Sequence, residues 1–278
     1  MKIIKKSYIC KMKTQMKKNQ NLITMRRVFV LVLFVVAPLF NSQAQINGID
    51  DFIIQIQELR TLSQKMGKYY ILQNLYPSNE KYKNQAQESM DSFNSILVEL
   101  IEQAPSDELQ MELQKLNLTW MYVGKVLKTK YDRAAAAKVL DKLEYLQNEA
   151  KNIGQLAMEL TKKDMAKVIL TAAEARVMLQ RMNLYFIAHR ARILNQNIEQ
   201  RFNESMTSLK SEIQFLESWE GNDETTKMLL NMIKERFRSF GKNISLKSKV
   251  SPLMADMVAE NMDEDFKLLV KTLKEKVQ

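Results

Sequence analysis

The segment Glu58-Leu59-Arg60-Thr61-Leu62-Ser63-Gln64-Lys65-Met66-Gly67-Lys68-Tyr69-Tyr70-Ile71 returns once, as Glu174-Ala175-Arg176-Val177-Met178-Leu179-Gln180-Arg181-Met182-Asn183-Leu184-Tyr185-Phe186-Ile187, at an offset of 116 residues. Two copies of one pattern, E-x-R-x-[LM]-x-Q-[KR]-M-x-x-Y-[YF]-I, imply two copies of one structural unit. The same offset carries Glu88-Ser89-Met90-Asp91-Ser92-Phe93-Asn94-Ser95 onto Glu204-Ser205-Met206-Thr207-Ser208-Leu209-Lys210-Ser211 and Leu100 onto Leu216. Asp107-Glu108 falls on Asp223-Glu224, and Pro105 on Gly221, another loop residue. Gly124-Lys125 meets Gly241-Lys242 after one inserted residue, and beyond that point the match fades. The chain reads as a tandem duplication of residues 45–163 and 164–278.

Ahead of the repeats stands a basic stretch, then an apolar run from Val28 to Phe40 and the polar Asn41-Ser42-Gln43-Ala44-Gln45. This reads as a secretory signal peptide over residues 1–44, cleaved after Ala44. Initiation at Met25 would give a compact version of it. The apolar run is interrupted by Pro38 and would reach only about 20 Å as a helix, which disfavours a spanning anchor. Nine of the 42 Lys and Arg lie in the first 44 residues, which hold no Asp or Glu, so the remainder carries 33 cations against 32 acids. Nine of the ten formal positive charges thus belong to the leader. The mature part has no electrostatic footprint for nucleic acid. Cys10 leaves with the leader, so stability must come from packing rather than disulfides. The expected location is outside the cytoplasm, in a periplasm.

Few Gly and Pro and apolar residues at three- and four-residue spacing predict an all-α fold of two tandem four-helix up-down bundles. The first repeat divides into helices from about Asp50 to Leu75, from an Asn79 or Ser78 cap to Gln103, from a Ser106 cap to Lys128, and from Asp132 to about Lys162. The second divides into Asp164 to about Leu194, Asn197 to Trp219, Asp223 to about Phe240 and Pro252 to about Lys274. No proline matches Pro77 in the break at Asn195-Gln196-Asn197, so a continuous fifth and sixth helix stays open.

On the first helix Leu59, Leu62, Met66 and Tyr69 follow a core stripe, with Arg60 and Gln64 on an adjacent face. Arg60 and Gln64 are i and i+4, as are Arg176 and Gln180, so each pair can converge on one ligand or partner. Two readings stand side by side: binding residues, or arginines paired with carboxylates, Arg60 on a neighbouring helix and Arg176 with Glu174 or another local acid. Gly67 would permit close helix approach, and its counterpart is Asn183. The aromatic pairs Tyr69-Tyr70 and Tyr185-Phe186, the methionines, Trp120 and Trp219 read as packing residues. Glu58 and Glu174 suit polar networks rather than a catalytic pair. The lone His189 has no companion for a metal site.

Arg60-Thr61-Leu62-Ser63-Gln64-Lys65-Met66-Gly67-Lys68 resembles the R-M-L-S-Q-R-[IM]-x-K motif of the extracytoplasmic sensor domain of type IV pilus chemotaxis transducers (the PilJ type), related to the input domain of nitrate/nitrite sensor kinases. Arg176 to Met182 matches again more loosely. The Ala-Gly that usually precedes the motif is replaced by Gln57-Glu58 and Ala173-Glu174. The resemblance implies a helical sensor in which the motif arginines, here Arg60 and Arg176, bind an anion across a dimer interface. Duplication would put both half-sites in one chain, with Arg60, Gln64, Arg176 and Gln180 as ligand-binding residues. The expected protein is non-catalytic, needs no cofactor or metal, binds a small ligand of which an anion suits the arginines, and reports to a membrane-protein partner. The alternative is a structural or adaptor scaffold on a membrane or envelope complex. No apolar span, signalling stalk or kinase is expected after the second repeat, so a sensor of this kind would report through another protein.

Overall fold

The computed structural model describes residues 48–129, 131–160 and 164–276. The expected signal peptide and its cleavage site lie outside them. The protein is all-α, with eight helices and no strand among the described residues: α1 Ile49–Leu75, α2 Glu80–Glu102, α3 Asp107–Leu127, α4 Arg133–Met158, α5 Asp164–Arg190, α6 Ile198–Ser218, α7 Glu224–Asn243 and α8 Pro252–Glu275. None of these helices is long and apolar enough to cross a membrane. All eight belong to one compact unit, residues 46–278.

Short polar side chains start the helices where the sequence reading expects them. Asn79 accepts from Lys81 N, Ser106 from Leu109 N, Asp132 from Ala135 N and Asp223 from Thr226 N, each satisfying a first-turn donor that the helix cannot. Because Ser106 and Asp223 are equivalent caps, α3 and α7 are related by 117 residues rather than 116. The expected match of Asp107-Glu108 to Asp223-Glu224 is therefore one residue out of register. The buried Leu113, Leu116 and Val123 confirm the shift, falling on buried Leu230, Ile233 and Phe240.

Helices five and six are separate. At the end of α5 the Ile193 amide donates to Ala188 O and the Arg192 amide to His189 O, a Schellman closure with Arg192 in the left-handed region at φ 56°. Neither proline nor glycine makes this break. α4 ends at Met158, short of the expected Lys162.

Helices are packed in bundles. α1 packs against α2 and α4, with α3 between those two; α5 packs against α6 and α8, with α7 between those two; and α1 packs against α5. This last contact makes α1 and α5 unlike the other six. Every residue from 59 to 72 is buried, and so is every residue from 175 to 188, the same window shifted by 116. The polar face beside the core stripe thus points into the other repeat. A helix buried on all sides must satisfy its polar side chains internally.

Gly67 sits in this crowded region. A Cβ there would lie 2.8 Å from Leu143 Cδ1 on α4 and 3.2 Å from both Leu184 methyls on α5. Glycine is what lets the three helices approach.

Candidate functional site

The polar residues of the motif meet across the α1–α5 contact in reciprocal pairs. Arg60, 1% exposed, grips Glu174 with both terminal nitrogens, Nη2 to Oε1 at 2.8 Å and Nη1 to Oε2. Arg176, 5% exposed, returns the contact, its Nη1 donating to Glu58 Oε2 at 2.6 Å. Residue 58 is the equivalent of 174, and 60 of 176. Partner numbers rise together along both helices, from 58 and 60 with 176 and 174 to 68 with 180, so α1 and α5 run parallel. Contacts of the type i to j with j′ to i′ between parallel helices are those of a two-fold axis.

The reciprocity extends into α4 and α8. Arg60 Nε donates to Gln147 Oε1 at 3.0 Å and Arg176 Nε to Asp263 Oδ1 at 2.9 Å, and 147 is the equivalent of 263. Arg181 Nη2 pairs with Glu144 Oε1 at 2.7 Å and Lys65 Nζ with Glu260 Oε2 at 2.9 Å, again equivalents. Tyr185 Oη donates to Glu144 at 2.7 Å, and the equivalent Tyr69 is near enough to Glu260 for that carboxylate, after burial, to raise its phenol. Each half therefore supplies cations to carboxylates held by the other.

Electrostatics follow from this pairing. Burial alone would raise the carboxyls of Glu144, Glu260 and Asp263, but the facing Arg181, the Lys65 and Lys68 pair, and Arg176 with Lys65 hold them below the usual carboxylate range. Burial opposes the charge of Lys68, and Asp256 and Glu260 overcome it, so its ammonium is held more firmly than an ordinary lysine's. Glu212 on α6 differs: burial, then the neighbouring Glu174 charge, push it up to about 8.

Symmetry breaks most at Lys68. Lys68, fully buried, reaches Asp256 Oδ1 at 2.9 Å, Glu260 Oε1 at 2.5 Å and Gln180 Oε1 at 2.8 Å. The equivalents of Lys68 and Asp256 are Leu184 and Leu140, both buried. One half thus uses a charged pair where the other uses two leucines.

Of the four residues singled out from sequence, all are buried between the repeats. The two members of each pair do not converge on a shared partner. Gln64 makes one long contact, Nε2 to Ser63 Oγ at 3.4 Å, and its Oε1 has no hydrogen bond among the described residues. Gln180 donates to Glu260 Oε1 at 2.9 Å. Arg176 Nη2 is likewise buried without a hydrogen bond. Arg60 pairs with a neighbouring helix, as one reading anticipates, whereas the acids on Arg176 are Glu58 and Asp263 rather than Glu174.

Sequence reasoning missed Lys65, Lys68, Glu144, Asp256, Glu260 and Asp263. The signal was there for one pair, since Glu144 and Glu260 are identical at the offset of 116. His189 is exposed, and among the described residues no group of three or more His, Cys, Asp or Glu is arranged to hold a metal ion. No protein-family model, curated protein or solved structure matches this chain.

Proposed function

We propose that this is an exported, non-catalytic helical adaptor built as two duplicated four-helix bundles, in which the repeated motif is the clamp between the halves. The observation that carries this reading is the reciprocal exchange of Arg60–Glu174 and Arg176–Glu58, which occupies both guanidiniums with carboxylates supplied by the motif itself. A buried arginine held by carboxylates, Arg60 bidentately by Glu174 and Arg176 by Glu58 and Asp263, is spent on structure. A clamp of this kind fixes two bundles as one body and leaves their outer helices and loops free for a membrane or envelope partner.

A second reading keeps the resemblance to PilJ-type sensors: a small anion binds between the halves and reports through a partner. One observation favours it, the unpaired Nη2 of buried Arg176. The anion would have to displace Glu58 or Asp263 to gain a full guanidinium fork.

Thermal shift separates the two. The chain from Gln45 is screened against nitrate, nitrite and small carboxylates, with chloride for ionic strength, beside Arg60→Ala and Arg176→Ala. A ligand at about 100 times its Kd adds roughly 2.7 kcal/mol. The adaptor reading predicts no anion-selective shift and marked destabilisation of both variants in buffer alone. A selective shift abolished by either substitution supports the sensor instead.

A further inference from the structure

The parallel arrangement of α1 and α5 gathers four loops at one end of the molecule. Tyr70 and Tyr131 rings lie 5.5 Å apart, Asn195 donates to Asp141 on α4 at 2.9 Å, and Arg190 Nη1 donates to Ser248 O at 3.2 Å. This end exposes Arg133, Arg190, Arg192, Lys138, Lys247 and Lys249. Its nearby acids are largely committed: Asp132 caps α4, and Asp141 is held by Arg201 and Asn195, leaving Glu80 and Glu199. At the opposite end α3 and α7 open with Asp107, Glu108 and Glu224.

Two of the cations stand where local physics disfavours them. Arg192 occupies the left-handed position of the α5 closure, a place for glycine, at a cost of about 1–2 kcal/mol for a residue with a Cβ. Arg133 is the first residue of α4, at the positive end of the helix dipole, in a first turn that holds no acid. Local rules broken in the same direction at one surface point to a function of that surface.

Among these cations an apolar side chain projects outward. The turn at Arg192 tucks Ile193 inside and leaves Leu194 88% exposed, with Leu253 and Met254 exposed in the first turn of α8. Shallow clefts of about 510 and 890 Å³ flank Leu194, the first lined by Arg190 and Arg192 with Glu199, the second by Arg133 and Lys138 with Asp141, itself held by Arg201. A protruding apolar tip in a cationic ring, on the end of a bundle, fits a planar surface that is anionic outside and apolar within.

We infer that this end docks on an anionic phospholipid bilayer, Leu194 entering the interface while the surrounding cations hold headgroups in the flanking clefts. The inference deepens the adaptor reading by naming its docking end and surface, and rests on that reading. Its test is independent of the clamp. The chain from Gln45, which contains the whole described core but not the apolar Val28–Phe40 run, is floated with vesicles of phosphatidylcholine, alone or mixed with phosphatidylglycerol.

The expected result is binding only to the mixed vesicles, weakening as salt rises. Arg190→Glu with Arg192→Glu should reduce it roughly tenfold or more, and Leu194→Asp should also weaken it. Arg192→Gly removes a cation while relieving the backbone, so it should bind vesicles less and melt no lower, a combination that misfolding does not produce. Failure to bind mixed vesicles at low salt, equal binding to pure phosphatidylcholine, or full binding by Leu194→Asp and Arg192→Gly would overturn the inference. So would complete competition by soluble polyglutamate with no effect of Leu194→Asp, which would assign the end to a soluble acidic partner. None of these failures would alter the thermal-shift outcome for the clamp.

Discussion

Glu174→Gln tests the clamp most sharply, because it leaves the Arg60 charge 1% exposed with only neutral amides, among them Gln147 and Gln57, as hydrogen-bond partners. Breaking a buried pair in this direction costs about 3–5 kcal/mol. Arg60→Met leaves Glu174 instead, whose side chain is 23% exposed and can hydrate, and methionine refills much of the volume. Its cost should be smaller, about 1–3 kcal/mol. The double variant should be no worse than Glu174→Gln alone, so the coupling should at least equal the Arg60→Met cost, about 1–3 kcal/mol. The mirror substitution Glu58→Gln leaves Arg176 with Asp263, so its cost should be nearer 1–2 kcal/mol despite the matching sequence position. Urea unfolding of the chain from Gln45, followed by far-UV circular dichroism at pH 7, reads all four values. Repeating the series with Glu212→Gln blocks any rescue of Arg60 by that neighbour. Additive effects in the double variant, or Glu174→Gln within about 1 kcal/mol of the parent, would refute the reasoning.

Replacing the asymmetric pair by the solution the other half uses, Lys68→Leu with Asp256→Leu, should restore most of the stability that Lys68→Leu alone removes, as chemical denaturation would show. Glu212, held near 8, contributes stability below the ordinary carboxyl range that is lost as pH rises through its folded value. Raising pH from 7 to 9 should therefore cost about 1 kcal/mol, or roughly 2–4 °C in Tm, and Glu212→Gln should abolish the change. Glu144, Glu260 and Asp263 act oppositely: their depressed values give stability present above the ordinary carboxyl pKa and lost as pH falls through the lowered folded ones, seen as an acid transition of the circular dichroism signal. Gly67→Val should cost about 1–3 kcal/mol by driving a side chain into Leu143 and Leu184.

The helices were legible because their signals are local. Asn79, Ser106, Asp132 and Asp223 are caps that act within three residues, and the apolar spacing of α2, α3, α6 and α7 records one buried face. The break after α5 was obscure because a backbone closure through Arg192 replaces the expected glycine or proline. α1 and α5 were obscure in a different way. Their polar line could be placed beside the core but its cover could not be read, because periodicity reports which residues are apolar, not what covers the rest.

The motif itself pointed to Arg60 and Arg176, and duplication to their meeting across two halves. What occupies them lies in long-range partners that one helix cannot reveal. Glu174 and Glu58 were in plain view two residues before each arginine, but their exchange between helices depends on α1 and α5 being parallel. In α4 and α8 the buried positions repeat at 116, as at Leu143 with Ala259 and Leu146 with Met262, while residue identities diverge. Burial recurs at the interface positions while the side chains filling them differ, so the sequence match fades there although the packing repeats.

Cutting the chain between α4 and α5 gives the most direct measurement of the clamp. Residues 45–160 and 161–278, made separately and mixed, should form a one-to-one complex by light scattering, with the helical content of the parent. Glu58→Gln with Arg60→Met in the first fragment should weaken that complex by at least tenfold. Two fragments that fold as monomers without affinity for each other, or a complex indifferent to those substitutions, would contradict the account.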